Sequence, residues 1–267
     1  MNSEQFFSSL WEQYIAITPQ AEQIHALFLK QNHQIVNDHV AFRTFDHSDL
    51  NIAVFEPYIF QLGYTFLNDY HFPNKYLYAK SYLAQDPQLP KIFISQLICQ
   101  KLSQSNQKII NTLLESISSK PINCIDALYK GRLWDKPSWQ QYQSLLAESE
   151  YAAWLSVMGL RANHFTISIN HLDSHVSIEA VNQFLKNNGF ILNMAGGEIK
   201  GSPEELLEQS STMADKMEFE FADGDRHRIN TCYYEFARRY PDNQGDLFQG
   251  FVAASADKIF ESTHMER

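Results

Sequence analysis

The chain has 267 residues, of which 44% are hydrophobic and 19% are charged, and its formal net charge is −10. This composition is typical of a globular protein with a large core, and the acidity argues against nucleic acid or an anionic membrane as a partner. The three cysteines, Cys99, Cys124 and Cys232, are too few and too far apart for a disulfide framework or a zinc-thiolate site.

The spacing of apolar residues separates predicted helices from predicted strands along the chain. Thr18 and Pro19 also have the form of a helix N-cap followed by proline at the first helical position. The first part of the chain is predicted to form helices at 3–16 and 19–30, a strand at 38–45, a helix at 50–62, and strands at 76–83 and 91–99. Two further helices, at 103–119 and from Pro137, are predicted to form a connector.

Two segments of the chain have the same order of predicted elements. One begins at His39 and the other at His164, and each continues as a strand, a polar turn, an amphipathic helix, a glycine and a new strand. The histidine precedes the glycine by 24 residues in the first segment, at Gly63, and by 25 residues in the second, at Gly189. We infer a divergent internal duplication of a strand-helix-strand unit.

The second unit is followed by a predicted β-hairpin. Apolar and acidic residues alternate over 217–221, and Asp223 and Gly224 have the form of a hairpin turn. An aromatic-rich run follows, and we expect Glu235 to lie in the second strand of this hairpin.

The stretch 194–216 contains several glycines but no phosphate-loop pattern. We interpret it as a mobile loop with a short helix that begins near Pro203, which could form a lid over a site. Ser210, Ser211 and Thr212 would then either contact a substrate or cap the end of this helix.

An imidazole and a guanidinium share one face of the first predicted strand. His39 and Arg43 are four residues apart, and strand side chains alternate between faces. His164 likewise belongs to the polar face of the strand at 164–170. If the two units pair so that their sheets curl around a common space, these polar faces line a cavity, which Glu235 could complete.

Two histidines and one carboxylate suit non-haem Fe(II) with open positions for a 2-oxo acid and dioxygen, and zinc is also chemically possible. The Cα atom of Arg43 should lie ~13 Å along the strand from that of His39, so its side chain could hold a carboxylate of the bound acid. A surface ion pair of Arg43 with Asp38 or Asp46 is the alternative, and Glu235 could instead pair with a nearby arginine. The remaining candidate histidines are interpreted as solvated loop residues: His47, His71, His171, His175 and His227.

Four motifs in this order, NDHVAFRTF, NHFTISIN, QSSTMADKMEFEFADG and YYEFARRY, resemble the DUF1338 family over roughly residues 5 to 245. This family includes 2-oxoadipate dioxygenase/decarboxylases and is similar to the vicinal oxygen chelate superfamily. The resemblance implies an α+β fold in which two related βαβββ modules form a curled sheet around a metal cavity, with added helices. It implies that His39, His164 and Glu235 hold Fe(II), that these histidines and Arg43 face the substrate, and that Arg43 binds a substrate carboxylate. The implied reaction converts 2-oxoadipate and O2 to 2-hydroxyglutarate and CO2.

We expect one compact domain over 1–267, with a first module at about 35–100, a helical connector at about 101–155 and a second module at about 160–245. The chain ends about thirty residues after Glu235, so we expect a cavity wall supplied by a longer extension to be missing. Neither a signal peptide nor a membrane span is predicted, and we expect a cytoplasmic location. Two other functions stay open: a different metal-dependent lyase, isomerase or hydrolase, and a non-catalytic module that binds a small acid.

Overall fold

An eight-stranded mixed sheet forms the centre of the protein. The computed structural model describes residues 2–115, 117, 122 and 124–263. Within these residues the strand order is β2-β3-β4-β1-β5-β10-β7-β6, and β8 and β9 form a separate hairpin. The strands are β1 (Asn37–Phe45), β2 (Tyr64–Phe72), β3 (Leu77–Ala84), β4 (Lys91–Leu97), β5 (Ala162–Ser168), β6 (Lys200–Ser202), β7 (Leu207–Ser211), β8 (Lys216–Glu220), β9 (Arg226–Asn230) and β10 (Tyr233–Arg239).

Most of the helices begin and end close to the predicted positions. They are α1 (Ser3–Ile15), α2 (Pro19–Leu29), α3 (Ile52–Gln61), α4 (Gln104–Leu114), α5 (Trp139–Glu148), α6 (Glu150–Met158), α7 (Ile178–Asn187) and α8 (Ala253–Ile259). The predicted end of α4, near residue 119, lies outside the described residues. The sequence did not predict α6, because residues 151–158 are buried on every side and show no amphipathic period. None of the helices in the described ranges combines the length and apolarity that crossing a membrane requires.

The two halves of the sheet repeat one topology. In the first half β1 pairs parallel with β4, β4 pairs antiparallel with β3, and β3 pairs antiparallel with β2. In the second half β5, β10, β7 and β6 repeat this order and these directions, with α7 in the place of α3. The halves meet where β1 pairs antiparallel with β5. The predicted α+β fold of two related βαβββ modules in a curled sheet is therefore confirmed, while its description as a single domain stays a prediction.

One face of the central strands packs against the N-terminal helices. The ring of Phe165 on β5 lies 5.1 Å from that of Trp11 and 5.0 Å from that of Tyr14, both on α1. The Tyr14 hydroxyl also donates a hydrogen bond to the carbonyl of Tyr233 on β10. Since side chains alternate along a strand, His164 and Thr166 point to the opposite, concave face.

Glu235 does not lie in the predicted hairpin, which is a correction to the sequence analysis. The hairpin consists of β8 and β9, whereas Glu235 belongs to β10, a separate strand that pairs parallel with β5 and antiparallel with β7. The physical reason is burial. Residues 233–237 are buried throughout, as in a central strand, whereas the hairpin exposes alternate side chains.

The prediction of a mobile loop and a helix near Pro203 is also wrong. This stretch contains β6 and β7, joined by a turn in which Leu206 has φ of 61°. Residues 208–211 of β7 are polar, yet they are buried, as polar side chains with hydrogen-bond partners in the fold can be. Ser210 donates to Asn182 Oδ1 at 2.6 Å, and the Ser211 and Ser262 hydroxyls lie 2.8 Å apart.

Replacement of Phe165 by alanine should destabilise the protein by about 3–5 kcal/mol, because it leaves a cavity between β5 and α1. Phe165 is 1% exposed. Urea unfolding monitored by circular dichroism measures the change. Phe66→Ala is the matched control, since Phe66 is 49% exposed and should cost under about 1 kcal/mol. Equal losses in the two variants would contradict the packing described here.

Candidate metal centre and its cavity

Three neighbouring strands bring the predicted ligands to one face of the sheet. In the register of β1, β5 and β10, Thr166 lies opposite His39 on one side and opposite Glu235 on the other. His164 precedes Thr166 by two residues on the middle strand and so points the same way. The side chains of His39, His164 and Glu235 therefore converge on the concave face.

The ligand atoms of these three residues lie close together and away from solvent. One nitrogen of each histidine and one oxygen of Glu235 all lie within 4.8 Å of one another. Glu235 Oε2 is 3.1 Å from His164 Nε2, and Glu235 Oε1 is 3.4 Å from His39 Nε2. All three side chains are buried. The residues predicted as ligands are thus within reach of a single ion.

Each histidine follows a bulged residue that accepts a hydrogen bond from it. Asp38 has no partner on β5, because the register between β1 and β5 shifts between Asn37 and His39. Asn163 likewise has no partner on β1, because the register shifts again between Ala41 and Phe42. Bulges re-aim side chains. His39 Nδ1 lies 2.7 Å from Asp38 Oδ1, and His164 Nδ1 lies 3.1 Å from Asn163 Oδ1. These acceptors favour the tautomers whose Nε2 lone pairs face a metal.

The carboxylate behind His39 is held by a cation from the other module. Arg239 donates to Asp38 through Nε at 2.6 Å and through Nη2 at 2.9 Å. Burial alone would raise the pKa of Asp38, but Arg239 and Lys91 hold it well below its ordinary value. The alternative pairing of Glu235 with a nearby arginine is not seen in the described residues, since Arg239 binds Asp38 instead.

Glu235 is a buried acid without a neighbouring cation in hydrogen-bond contact, within the described part of the chain. Gln209 Nε2 donates to Glu235 Oε1 at 2.6 Å, while Glu235 Oε2 has no hydrogen-bond partner there. Burial raises the pKa of Glu235 to about 8. Burial likewise lowers the pKa of His39, against the opposing effect of Asp38, and lowers that of His164 well below its ordinary value. Neutral imidazoles can offer their lone pairs to a metal.

These residues fit a divalent transition metal. Two imidazole nitrogens and one carboxylate oxygen make a donor set that such metals accept, whereas Mg2+ and Ca2+ prefer oxygen ligands alone. A cation would also compensate the buried Glu235 carboxylate and occupy the space beside its unpartnered Oε2.

A small cavity of about 20 Å³ adjoins the triad. Its volume holds about one water molecule, so a larger ligand requires its walls to separate. One wall of the cavity was not predicted from the sequence, and it comes from α8 and the residues that flank this helix. This wall consists of Phe251, Ala256, Ile259 and Phe260. The expectation that a wall supplied by a longer extension is missing stays a prediction.

Arg43 lines this cavity, but its ion-pair partner is not one of those expected. Its Nη1 lies 3.3 Å from Glu150 Oε1, and its Nη2 donates to Thr263 Oγ1 at 2.9 Å. Its guanidinium carbon lies 4.8 Å from the ring centre of Tyr151 and 4.9 Å from that of Trp154. Arg43 Nε is buried and has no partner in the described residues. Neither Asp38 nor Asp46 pairs with Arg43 in these contacts.

The five histidines that were interpreted as loop residues make their contacts outside the triad. His171 contacts the Ser168 hydroxyl, and His175 packs with its ring centre 4.5 Å from that of Phe184. His47 and His71 lie within 3.8 Å of carboxylates on neighbouring residues. The prediction that His71 and His227 belong to loops is wrong. His71 lies in β2, and His227 lies in β9 and stacks on Trp139 at 3.7 Å.

Comparison with known proteins identifies the family to which this chain is similar. The family model described as 2-oxoadipate dioxygenase/decarboxylase matches residues 6–243. A chloroplastic 2-oxoadipate dioxygenase/decarboxylase of Arabidopsis thaliana is 34% identical over 99% of this chain and 79% of that protein. The hydroxyglutarate synthase of Oryza sativa, solved in complex with 2-oxoadipate, is 36% identical with a TM-score of 0.93, covering 97% of this chain and 91% of that one. A Shewanella frigidimarina structure, provisionally named a hydrolase, is 48% identical with a TM-score of 0.87, covering 94% and 98%.

The predicted cytoplasmic location is contradicted by this comparison. The Arabidopsis relative is named as a chloroplastic protein. The expectation rests on the small number of cysteines and on the lack of signal-peptide and membrane-span patterns. Those features distinguish oxidising from reducing surroundings, but they do not distinguish one reducing compartment from another.

Glu235→Gln should stabilise the metal-free protein at neutral pH while weakening metal binding. Because the folded pKa of Glu235 is raised to about 8, its protonated form contributes stability that is complete below about pH 4 and is lost as the pH rises through 8. Glutamine does not ionise, so the variant should gain on the order of 3 kcal/mol over the native protein at pH 7 and much less at pH 4.

Denaturant unfolding of the metal-free proteins at several pH values measures this difference, and equilibrium dialysis measures metal affinity. Glu179→Gln, at an exposed position on α7, is the control and should change neither quantity. A stability difference between Glu235→Gln and the native protein that does not vary with pH would contradict the burial of an ionisable carboxyl at this position.

Proposed function

Because the chain belongs to the 2-oxoadipate dioxygenase/decarboxylase family, we propose that it is an Fe(II)-dependent oxidoreductase that converts 2-oxoadipate and O2 to 2-hydroxyglutarate and CO2. The observation that carries the proposal is the buried triad of His39, His164 and Glu235, within reach of one ion. The likeness to a hydroxyglutarate synthase solved with 2-oxoadipate supports the substrate. The reaction is balanced, since the C1 carboxylate leaves as CO2 with its own two oxygens and both oxygen atoms of O2 enter 2-hydroxyglutarate, one in the new carboxylate and one in the hydroxyl.

The donor set supports iron as the metal. Three protein ligands on one side leave open positions, and two histidines with one carboxylate are typical of non-haem Fe(II) oxygenases. Bound Fe(II) would supply the redox chemistry for O2 and the Lewis acidity that polarises a 2-oxo acid. A hydrogen bond orients each of the three side chains. Asp38 accepts from His39, Asn163 accepts from His164, and Gln209 donates to Glu235.

Arg43 would bind the substrate carboxylate farthest from the metal. Its buried Nε is an unpartnered donor in a cavity that also contains the triad. The contacts with Glu150, at 3.3 and 3.4 Å, are long for charge-assisted hydrogen bonds. An incoming carboxylate can therefore gain a shorter, stronger bond to the guanidinium. The rings of Tyr151 and Trp154 hold that guanidinium in place.

The apolar wall would exclude water from the reacting end of the substrate. Phe251 packs with its ring centre 4.8 Å from that of His39, and Phe260 lies over Arg43 at 5.7 Å. Thr263 ties the end of this wall to Arg43. Arg43, which would bind the substrate carboxylate, thus also contacts the segment that covers the cavity, so substrate binding and closure of the cavity would both depend on this residue.

Fe(II)-loaded protein should consume O2 only when 2-oxoadipate is present, with one 2-hydroxyglutarate formed per O2. An oxygen electrode and chromatography of the products measure this after anaerobic loading. His164→Ala should lose at least about 100-fold in rate, because it removes a metal ligand. His171→Ala, which alters a histidine outside the triad, should keep the native rate. Turnover without O2 consumption would instead indicate a hydrolase or lyase.

Arg43→Lys should raise KM for 2-oxoadipate by about 10- to 100-fold, because lysine lacks the planar fork that binds a carboxylate. With 2-oxohexanoate, which lacks the second carboxylate, native protein and variant should have similar KM values. Arg228→Lys, at an exposed position, is the control for a change of cation type. An equal KM increase for both acids would show that Arg43 does not read the second carboxylate.

A further inference from the structure

Asn163 has a donor that the fold does not use. Its side chain is 1% exposed and lines the cavity of the triad. Asn163 Oδ1 accepts from His164, but Asn163 Nδ2 is buried without a hydrogen-bond partner in the described residues. Buried amide groups are usually satisfied. An unpartnered donor beside a cavity therefore points to a ligand.

The duplication offers a direct comparison for this residue. Asp38 occupies the equivalent bulge in the first module, and Arg239 neutralises it through two hydrogen bonds. Asn163 likewise accepts a hydrogen bond from the histidine that follows it, but with an uncharged amide. The two bulged residues therefore share one function, orienting a ligand histidine, but only Asn163 has a second group to offer.

The direction of the amide follows from the metal site. If His164 presents the Nε2 lone pair to a metal, its Nδ1 carries the proton and must donate to an oxygen. Asn163 Oδ1 is that oxygen. The amide nitrogen of Asn163 is then directed away from His164, and no rotation of the amide can exchange the two ends without losing this bond.

The position of Asn163 indicates which part of a substrate it meets. Because β5 runs antiparallel to β1, the chain before His164 lies toward the Arg43 end of β1. Asn163 Nδ2 and Arg43 Nε are both unpartnered donors that line one cavity. Two unpartnered acceptors also line the cavity, and both are at the triad: Glu235 Oε2 belongs to it, and Gln209 Oε1 belongs to the amide whose nitrogen donates to Glu235. Donors are thus grouped where a carboxylate would bind.

We infer that Asn163 is a substrate-binding residue whose Nδ2 donates a hydrogen bond to the distal carboxylate of the 2-oxo dicarboxylate, beside Arg43. This inference rests on the proposed function. It also explains why the bulged residue before the histidine is an aspartate in the first module and an asparagine in the second. An aspartate at this position would set a negative charge against an anionic substrate, whereas Asp38 has Arg239 as its counter-ion.

Asn163→Asp separates the two functions of the residue. The variant keeps an oxygen that accepts from His164, and a carboxylate raises the basicity of that histidine, so affinity for Zn(II), measured by equilibrium dialysis, should be at least that of the native protein. It loses the donor and gains a charge, so affinity of the Zn(II)-loaded protein for 2-oxoadipate should fall by at least about tenfold in calorimetry. For 2-oxohexanoate, which lacks the distal carboxylate, the loss should be clearly smaller. Asp38→Asn is the matched exchange in the other module and should weaken Zn(II) binding instead.

A crystal structure of the native Zn(II) protein with 2-oxoadipate provides a measurement that does not depend on the variant folding. The inference expects Asn163 Nδ2 within hydrogen-bond distance of a distal carboxylate oxygen, and a complex without this contact overturns it. Unchanged 2-oxoadipate affinity in a folded Asn163→Asp protein also overturns it, as does an equal loss for both acids. Failure of the native Zn(II) protein to bind 2-oxoadipate at all would overturn the proposed function itself.

Discussion

The antiparallel pairing of β1 with β5 is the interaction on which the site depends. This one strand pair carries both candidate ligand histidines, one from each module. A slip of one residue would turn the histidines of a strand to the face that the N-terminal helices cover. Val40 and Phe165 lie opposite each other in the register and are fully buried on that face. Hydrophobic burial on one side of the sheet therefore holds the polar groups in place on the other.

The two buried acids of the centre differ in how their charge is compensated. Asp38 forms a bidentate ion pair with Arg239, and its pKa is lowered, so the folded protein favours the ionised form of this carboxyl. Glu235 has an amide donor, no paired cation among the described residues, and a raised pKa. An uncompensated buried carboxylate costs stability. At Glu235 the metal-free fold is thus less stable than it could be, and a bound cation would recover that loss.

Features with a local period or a repeat could be predicted from the sequence. The alternation of side chains along β1 and β5 predicted that His39, Arg43 and His164 share one face of the sheet. The repeated order of elements predicted two related modules that pair. The features that were missed depend on partners distant in the chain. Glu235 was predicted as a ligand but assigned to the wrong strand, because β10 is separate from the hairpin and pairs with β5. The serines of β7 resemble a loop until their partners on α7 and near the C-terminus are known, and Glu150 reaches Arg43 from the connector.

The pseudo-symmetry of the modules also accounts for the open side of the metal site. Glu235 lies opposite Thr166, two residues beyond the ligand histidine of β5, and Phe93 lies opposite Ala41, two residues beyond the ligand histidine of β1. Phe93 therefore occupies the position in the first module that Glu235 occupies in the second, and both line the cavity. A strictly symmetric pair of modules would supply four ligands. Because the fourth is the apolar ring of Phe93, an ion held by the triad would keep free positions, and the ring would offer an apolar surface against which a substrate chain can pack.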